Sequence, residues 1–380
     1  MQIDIIFPRL PPAIDGIGDH SLLLAAGIAA RGHEVRLLTR HPEQSTVNEM
    51  AGLNVQVVEA WPNGNLLSVD VLKRAVAARR PDWLILQFEQ FSYGRYGYNP
   101  KLARLFTSLK HVSPNTKVLL YAHENYTKPI TLKKAILSSF QMRQYRRLTA
   151  TATRVVISTD AWRNSRDYSG VAPILVPVFS NIPMQTAISR SEILDRYDIC
   201  SNRPIVVNFG NFDPSRSDYL ISAALALSEY PFTYLYVGKD GSAVQSLLAG
   251  LPNVFVKVVS SPSSAVISEL LSVSDISISP FGDGVTGRRG SFLAALQHGV
   301  PTVTTISDKE PSLLAAREEG VFAASALRDV DAFGRLARDL MTDLEMRRRM
   351  SHLASQYYKK NFHSDLAISS ILTLMIGADT

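Results

Sequence analysis

The sequence predicts an α/β protein made of two tandem domains, each built around a parallel β-sheet. Short apolar segments of strand length alternate with helical patterns along the chain, which is typical of parallel sheets covered by helices. The chain has 380 residues, more than one hydrophobic core usually organises. The alternation starts again near Pro204 after a polar stretch, so we expect two similar domains.

Composition indicates a soluble globular protein. Hydrophobic residues make up 46% of the chain and the net charge is +6, an excess that suits an anionic ligand or an anionic membrane surface. The basic clusters carry few interleaved aromatic residues, so nucleic acid is not an expected partner. The single cysteine, Cys200, excludes an intrachain disulfide and fits a reducing compartment.

Neither a signal peptide nor a membrane span is expected. Met1 leads directly into a strand pattern, and no apolar run reaches the roughly 20 residues of a spanning helix. We therefore expect a cytoplasmic protein, with peripheral contact at the inner face of a membrane left open.

The first domain opens with a strand over residues 3–7 and a proline-rich loop over residues 8–15. Gly16 and Gly18 then begin a helix, which resembles the opening of a Rossmann-type domain, although Ser21 replaces the third glycine of that pattern. These glycines either let a diphosphate approach the backbone or only cap the helix. Both interpretations stay open.

Two later strands of this domain run into polar segments. One continues into a stretch rich in aromatic residues and glycine, where Glu89 and Tyr93 are candidate contacts for a sugar or an acceptor. The strand over residues 117–121 ends just before His123 and Glu124. Open α/β sheets bind ligands at the carboxyl ends of their strands, so we interpret His123 as functional, with packing roles as the alternative.

A helical pattern over residues 131–148 combines apolar positions with basic ones: Lys133, Lys134, Arg143, Arg146 and Arg147. A basic amphipathic helix can lie on an anionic membrane. An ordinary solvated helix face is the alternative.

The second domain repeats the order of strand, polar loop and helix. Its first strand pattern, over residues 204–209, precedes a loop that contains Arg216. Another strand ends at Gly238 and Lys239, and a third contains Val258. Two such halves in tandem predict a ligand site in the cleft between them.

Residues 282–305 carry the strongest functional signal. After an apolar strand, four glycines surround the pair Arg288 and Arg289, and Ser291 opens a short helix. A glycine-rich turn that enters a helix gathers unpaired backbone N–H groups at one spot. Two guanidiniums beside that spot suit phosphate or diphosphate; a surface turn with solvated arginines is the alternative. The segment therefore predicts an anion site at the carboxyl end of this strand.

These segments together resemble the retaining glycosyltransferases of GT-B architecture, and most closely glycosyltransferase family 4. The resemblance covers nearly the whole chain and rests on GIGDH, HEVRLLT, QFEQFSYGRYGYNP, YAHENY, FGNFDPSRSDYL and DGVTGRRGSFLAALQHGVPTVTT. It implies two Rossmann-like domains that face each other across a cleft. We expect an acceptor-side domain over residues 1–183, a linker over 184–203 and a nucleotide-sugar-binding domain over 204–364. A last helix, over residues 365–380, is expected to pack back on the first domain.

The resemblance also assigns roles by position. Gly16 and Gly18 match the glycine loop that faces the donor diphosphate, and His123 matches a histidine placed against the donor sugar. In the family an arginine and a lysine hold the diphosphate. They correspond here to Asn211 and Arg216, so one cation is lost and one is kept.

The family's hallmark pair of glutamates is absent. Counting back from Gly299 places the two positions at Thr286 and Ala294, so the ribose must be recognised differently. One explanation is a divergent donor site in which Arg288 and Arg289 compensate for the lost cation. The other is a relative that binds sugar nucleotides without turnover. We favour the first, because the arginine pair adds positive charge to the site.

The resemblance implies transfer of a hexose from a nucleotide sugar, with UDP-glucose the commonest donor, to a saccharide or lipid-linked saccharide. The product would enter polysaccharide or glycoconjugate synthesis. No Asp-x-Asp motif points to an ion-bridged diphosphate, so neither a metal nor another cofactor is expected. An NAD-dependent enzyme would need the complete glycine motif, which is missing.

The predicted site residues fall into three groups by expected role. The catalytic group is His123, Arg216 and Arg288; the donor-binding group is Gly16, Gly18, Asn211, Gly238, Lys239, Val258, Asp283, Gly284, Gly287, Arg289, Gly290 and Ser291; the acceptor or sugar group is Glu89, Tyr93 and Glu124.

Overall fold

The computed structural model describes residues 1–13, 15–60, 69–163, 168, 170–185 and 188–377. The chain divides into two compact units. The first consists of Met1–Val178 together with the segment that begins at Ser364, and the second is Phe179–His363. Each unit is an α/β domain with its own parallel sheet.

In the described part of the first unit, seven strands alternate with helices. The strands are β1 (Gln2–Ile6), β2 (Glu34–Thr39), β3 (Val55–Glu59), β4 (Trp83–Phe88), β5 (Lys117–Ala122), β6 (Arg154–Ile157) and β7 (Ile174–Leu175). The helices are α1 (Gly16–Ala29), α2 (Gln44–Gly52), α3 (Val69–Arg79), α4 (Gln90–Tyr93), α5 (Pro100–Val112) and α6 (Leu132–Thr151). All strands pair in parallel, in the order β3-β2-β1-β4-β5-β6-β7. The central β4 is buried at every position, as expected for a strand covered by helices.

The second unit has six strands among its described residues. They are β8 (Ile205–Phe209), β9 (Phe232–Val237), β10 (Val254–Val259), β11 (Ile276–Ser279), β12 (Thr302–Ile306) and β13 (Ala323–Ala326). Its helices are α7 (Arg190–Arg196), α8 (Ser217–Leu227), α9 (Gly241–Leu248), α10 (Ser264–Ser272), α11 (Gly290–Gln297), α12 (Pro311–Glu318), α13 (Val330–Thr342) and α14 (Leu344–Asn361). The sheet is again parallel, in the order β10-β9-β8-β11-β12-β13.

Both sheets reverse their winding once. In the first, the chain moves outward from β1 to β3 and then returns to β4 on the other side of β1; in the second, β8 and β11 are related in the same way. The loops that follow such a strand pair diverge and leave a crevice at the carboxyl ends, which is where open α/β sheets bind ligands. The two crevices therefore lie after β1 and β4 and after β8 and β11.

The segment predicted as a linker, residues 184–203, packs as part of the second unit. Ile193 and Leu194 of α7, together with Ile199, lie in an apolar cluster with Val207 of β8. Residues 186–187 of this prediction lie outside the described residues.

The last helix, α15 (Ser364–Ile376), belongs to the first unit. It packs on α1, where the side chain of Ile368 lies so close to Gly27 that a Cβ there would be 2.2 Å from Cδ1 of Ile368. Arg31, just after α1, also pairs with Asp365 at 2.5 Å. Residues 378–380 of the predicted C-terminal helix lie outside the described residues.

The charged helical pattern near the C-terminus forms two helices, α13 and α14. Asp343 separates them in an extended conformation and caps α14, its Oδ1 accepting a hydrogen bond of 2.8 Å from the N–H of Met346. In the described part of the chain, no helix has the length and apolar character to cross a bilayer.

Candidate active site

The crevice of the first sheet holds a polar network that joins the loops after β1 and β4. Arg9 pairs with Asp15 through Nε at 2.6 Å and donates to Oγ of Ser92 at 3.0 Å. The Ser92 hydroxyl in turn donates to Glu89 at 2.6 Å. Neither Arg9 nor Asp15 belongs to a recognisable sequence motif. Their hydrogen bonds in this crevice become visible only in the folded structure.

Gly18 has a packing role in this crevice. It is buried, and a Cβ on it would lie 2.3 Å from the carbonyl oxygen of Arg9. Its N–H and that of Ile17 already donate to Oδ1 of Asp15, at 3.3 and 3.0 Å. Asp15 thus caps α1 and engages the N–H of Gly18, whereas Gly16 at the first position of the helix is exposed. The donor-binding roles expected for Gly16 and Gly18 stay predictions.

Asp19 stands in the first turn of α1 with its carboxyl largely buried. Burial, and secondly the nearby charge of Asp15, raises the pKa of Asp19 from 3.8 to about 6. An aspartate that titrates near neutrality at the edge of a ligand crevice is a feature that no sequence pattern indicates.

His123 lies directly after β5, where its N–H donates to the carbonyl of Phe88 at 2.8 Å. Only 5% of the residue is exposed. Its Nε2 donates to Oε1 of Gln87 at 2.6 Å, since an amide oxygen can only accept. Gln87 is fully buried, and its Nε2 has no hydrogen-bond partner among the described residues. Gln87 and Phe88, the last two residues of β4, thereby fix the position of His123.

Two further rings support His123. Tyr121 stacks on it with centroids 4.7 Å apart, and His20 of α1 meets it edge-on at 5.2 Å. Burial lowers the pKa of His20 to about 3, so this imidazole is neutral at physiological pH. No sequence signal marks His20 or Gln87 beyond their positions beside the glycine loop and at a strand end.

The two glutamates predicted to contact a sugar or an acceptor come close to one another. Glu89 caps α4, where its Oε1 accepts from the N–H of Phe91 at 2.9 Å. Burial raises the pKa of Glu89, partly offset by hydrogen bonds from Ser92 and Phe91, and the charge of Glu124 adds to the rise. Glu124 accepts a hydrogen bond of 3.3 Å from Gln90.

The acceptor role predicted for Tyr93 is wrong. The side chain is only 3% exposed, and its hydroxyl donates to the main-chain carbonyls of Ile6 and Gln87, at 3.0 and 2.7 Å. The ring stacks on Phe88. Tyr93 therefore ties β1 to β4 from inside the core, and no part of it is left for a ligand.

The crevice of the second sheet contains a small pocket at the carboxyl ends of β8 and β11. Its walls are the loop from Gly210 to Asp213, Arg216, Phe281 and Ser291. Ser291 lies in the first turn of α11, and its Oγ would be 3.5 Å from a Cβ on Gly210. The loop after β8 and the start of α11 thus form opposite walls of one pocket.

Two guanidiniums flank the ring of Phe281 beside this pocket. The Cζ of Arg216 is 5.3 Å from the ring centroid and that of Arg289 is 4.9 Å. Each side chain is 24% exposed. The contacts at Phe281 thus bring Arg289 close to Arg216; the role expected for Arg288 stays a prediction.

Two carboxylates balance these cations. Asp283 forms an ion pair with Arg289, and Asp213 lies 3.7 Å from Nε of Arg216. Hydrogen bonds from Ser215, and then the charges of Arg216 and Arg289, hold the pKa of Asp213 below its usual value. An incoming anion therefore competes with Asp283 and Asp213 for the two arginines.

The glycines of this crevice let backbone segments approach one another. Gly284 has φ +86, and a Cβ there would lie 2.8 Å from the N of Ser307. A Cβ on Gly238 would lie 2.1 Å from the carbonyl oxygen of Gly210, which also accepts a hydrogen bond of 2.9 Å from Tyr236. Gly290 begins α11, whose preceding residue provides no side-chain cap, while Gly287 is buried in the turn.

The remaining predicted donor contacts differ in exposure. Asn211 and Lys239 are exposed. Val258 packs on the start of α9, where its Cγ1 would lie 2.1 Å from a Cβ on Gly241, so the structure gives it a packing role.

Neither position of the absent glutamate pair offers a carboxylate. Ala294 is fully buried in the apolar cluster under α11. The hydroxyl of Thr286 is buried and has no hydrogen-bond partner among the described residues.

No metal site is evident in the described residues. They contain no group of three His, Cys, Asp or Glu side chains arranged to hold an ion. Residues 329–331 read Asp-Val-Asp, but Asp329 serves as the cap of α13. Its Oδ1 accepts a hydrogen bond of 3.0 Å from the N–H of Ala332.

Comparisons with known proteins agree with this architecture. The structure resembles sucrose-phosphate synthase from Thermosynechococcus elongatus (TM-score 0.76, 15% identity, 100% of each chain covered) and a glycosyltransferase from Rickettsia africae (TM-score 0.75, 15% identity, 99% and 98% covered). It also resembles HepE from Anabaena in complex with UDP and glucose (TM-score 0.72, 14% identity, 99% and 100% covered).

The sequence itself gives one family match. No curated protein sequence is significantly similar to the chain. Residues 15–181 match the family described as glycosyl transferase 4-like domain. The chain thus has the GT-B fold of its structural neighbours, and residues 15–181 of its first unit are similar to the glycosyl transferase 4-like family.

Proposed function

We propose that this protein is a retaining, metal-independent hexosyltransferase that uses a nucleotide sugar. The donor that we favour is UDP-glucose, since one structural neighbour, HepE, is described in complex with it. The acceptor is a saccharide or lipid-linked saccharide of a polysaccharide or glycoconjugate pathway. The observation that carries the proposal is the pair Arg216 and Arg289 around Phe281 beside the start of α11.

This arrangement suits a diphosphate for three reasons. Arginine presents a planar fork of N–H donors that matches phosphate oxygens. The start of α11 has no side-chain cap, so its first N–H groups and the positive end of the helix dipole remain for an anion. The ring of Phe281 holds both guanidiniums in place without neutralising them.

The same groups assist the reaction. When the bond between the anomeric carbon and the diphosphate breaks, the electron pair leaves with the diphosphate, which gains negative charge. Fixed cations and N–H donors stabilise that charge without needing to reorganise, an effect often worth several kcal/mol. We assign this role to Arg216, Arg289 and Ser291, acting without a metal ion.

Retention follows if the acceptor oxygen attacks the face from which the diphosphate departs. The acceptor oxygen then bonds to the anomeric carbon, and its proton passes to an oxygen of the departing diphosphate. No carboxylate nucleophile of the kind used by retaining glycosidases is needed. We assign His123 to the transferred sugar, because Gln87 and two neighbouring rings hold its imidazole in one orientation.

Glu89 and Glu124 are our proposed contacts to sugar or acceptor hydroxyls. Both lie at the carboxyl ends of strands in the first unit, and Glu89 is held by α4 and Ser92. Tyr93 is no longer part of this group.

A second candidate is a relative that binds the sugar nucleotide without turnover. The observation in its favour is the site of the absent glutamates, where Ala294 is fully buried in apolar surroundings. This candidate predicts that a donor raises the melting temperature but is never consumed.

Donor turnover by the wild type separates these candidates, and substitution of Arg216 tests the role assigned to this arginine. In Arg216→Ala, turnover of the preferred donor should fall roughly 10²–10³-fold, the range typical for loss of one charge-stabilising donor. The preferred donor is first found by thermal shift with UDP, GDP and ADP sugars, with and without magnesium, since ligands stabilise the folds that they bind. Product release is then measured for the wild type and the variant.

Arg349→Ala, an exposed arginine on α14, is the matched control and should keep normal turnover. A wild type that is stabilised by a donor but never releases product supports the binding relative instead. Wild-type rates in Arg216→Ala would contradict the assigned role of this arginine, and a strict need for magnesium would contradict metal independence.

A further inference from the structure

The segment over residues 126–151, which contains α6, is strongly cationic. It carries six basic residues and no aspartate or glutamate. All six are exposed: Lys128, Lys133, Lys134, Arg143, Arg146 and Arg147. Two of the lysines lie in the first turn of α6, which has no acidic residue. Cations there oppose the helix dipole, so helix stability does not explain them.

The apolar residues of the first half of α6 point outward. Leu132, Ile136 and Phe140 are 81%, 55% and 50% exposed, and Ile130 just before the helix is 73% exposed. Their spacing of four residues places the three helical side chains on one stripe. Arg143 and Arg147 continue that stripe along the second half of the helix.

The buried side chains in the middle of the same helix are polar. Ser138, Gln141 and Gln144 are all buried, so the usual distribution of apolar and polar residues is inverted here. The glutamines bind neighbouring loops: Gln141 accepts from the N–H of Thr127 at 2.7 Å and donates to the carbonyl of Tyr96 at 2.8 Å. Folding of the first unit therefore accounts for the inner face of α6. On its outer face the ring of Phe140 meets that of Tyr98 with centroids 5.6 Å apart, while Leu132 and Ile136 keep 81% and 55% of their surface exposed.

A groove of about 630 Å³ runs beside the basic half of the helix. Its walls include Ser139, Arg143, Arg146 and Arg147. Pro129, Ala135, Met142 and Ala150 add apolar walls to the same groove. Guanidinium groups along such a groove suit phosphate headgroups. The apolar stripe lies at the other end of the same surface.

We propose that this α6 surface, made of Ile130, Leu132, Ile136 and Phe140 with the six basic residues, docks on an anionic lipid bilayer. The apolar stripe enters the boundary between headgroups and acyl chains, and the basic residues bind the headgroup phosphates. A nucleic acid or a soluble polyphosphate would satisfy the cations but leave the Leu132–Ile136 stripe in water. Only a bilayer, among polyanions, uses both halves of the surface.

Docking of α6 also connects the membrane to the first crevice. Gln141 and Gln144 hold the loops that follow β4 and β5, and these loops follow directly from Glu89 and His123. A membrane-bound acceptor would therefore arrive next to the residues assigned to it. The docking proposal does not depend on the transfer reaction, because vesicle binding is measured without donor or acceptor.

Vesicle cosedimentation of the full chain tests the proposal. The vesicles are phosphatidylcholine alone, or phosphatidylcholine with 30% phosphatidylglycerol, a composition that we choose as roughly that of an anionic leaflet. We expect binding only to the anionic vesicles, with weaker binding as salt rises. Lys133→Gln, Lys134→Gln and Arg143→Gln combined should lower the partition coefficient about a hundredfold, roughly fivefold for each charge.

A matched control removes the same charge elsewhere. Arg349→Gln, Lys359→Gln and Lys360→Gln alter three exposed residues of α14 and should leave binding within about twofold of the wild type, because they lie outside the α6 surface. Leu132→Ser with Ile136→Ser keeps every charge and should still weaken binding at least tenfold, since about 0.8 kcal/mol is lost per CH₂ withdrawn from the bilayer.

Three results would overturn the proposal. One is absence of binding to the anionic vesicles. Another is equal loss of binding in the α14 control, which would indicate a non-specific effect of net charge. The third is unchanged binding in the Leu132 and Ile136 variant, which would leave a polyanion such as RNA as the better occupant.

Discussion

At the scale of single residues, Asp19 makes the first unit sensitive to pH. An unfolded aspartate loses its proton near pH 3.8, whereas in the folded chain the pKa is about 6. Between these values the folded state binds more protons than the unfolded state, so stability falls as the pH rises. Above pH 6 the full cost of burying the charged carboxylate is present.

Asp19→Asn should therefore raise the melting temperature at pH 7.5 and lose this advantage at pH 4. Thermal unfolding of the two proteins at both pH values is the measurement. Asp218→Asn, which changes an exposed acid in the first turn of α8, should give no gain at pH 7.5. A variant that is less stable than the wild type at pH 7.5 would contradict the argument.

The candidate site was only partly predictable at this scale. Arg216 and the arginine pair could be named because glycine turns and cations close together in sequence form a local pattern, and the contacts around Phe281 then favoured Arg289. Tyr93 was misassigned because an aromatic residue in a glycine-rich segment has the same sequence pattern whether it faces a ligand or the core. Its two carbonyl partners belong to β1 and β4, a pairing that only the fold reveals.

At the scale of elements, α6 holds the loops after β4 and β5 in place through hydrogen bonds. Gln141 is fully buried and bonds to Thr127 on one side and Tyr96 on the other. Gln141→Leu would remove the hydrogen-bond partners of the Thr127 N–H and the Tyr96 carbonyl, two partly buried groups. A fully buried group left unpaired typically costs about 1–3 kcal/mol, so each of these should cost no more than the lower part of that range.

We expect Gln141→Leu to lower the free energy of unfolding by about 2 kcal/mol and to speed amide exchange over residues 94–99 and 124–128. Hydrogen exchange followed by mass spectrometry measures both segments. Ser139→Ala, on the exposed face of the same helix, is the control and should leave their exchange unchanged. Normal protection of both loops in Gln141→Leu would show that the glutamine does not hold them.

Element boundaries were predictable where the pattern was strongly periodic. The apolar strands around β1, β8 and β11 stand out in the sequence, and so does α6. The break between α13 and α14 at Asp343 could not be seen in the sequence. One capping aspartate in a long charged helical pattern resembles an ordinary solvated residue. Residues 184–203 looked like a linker because the few apolar residues that anchor them, such as Ile193 and Leu194, are spread through a polar segment.

At the scale of the whole molecule, the first unit is completed by a helix from the far end of the chain. Ile371 of α15 is fully buried, so Ile371→Ala should cost about 3 kcal/mol through lost burial and the cavity left behind. The effect should appear as faster exchange in α1, on which α15 packs, while α8 of the second unit keeps its protection.

Leu366→Ala is the matched control on the same helix. Leu366 is 45% exposed, so its loss should leave the exchange of α1 nearly unchanged. If Ile371→Ala instead accelerated exchange in α8 as much as in α1, the division into two separately packed units would be in doubt.

The tandem α/β architecture was predictable because it follows from alternation along the chain. The order of strands within each sheet was not predictable from the sequence alone. It places Arg9 beside Ser92 and Gly210 beside Ser291, and such contacts depend on where β4 and β11 return to their sheets. The sequence therefore indicates which loops are polar, and the winding of the sheets decides which of them meet.

The position of α15 also sets an order of events during synthesis. Residues 179–363 leave the ribosome before Ser364–Ile376, so the second unit has its full complement of residues while the first still lacks its covering helix. Until α15 emerges, the surface of α1 around Gly27, which Ile368 later covers, stays open to chaperones and to other nascent chains.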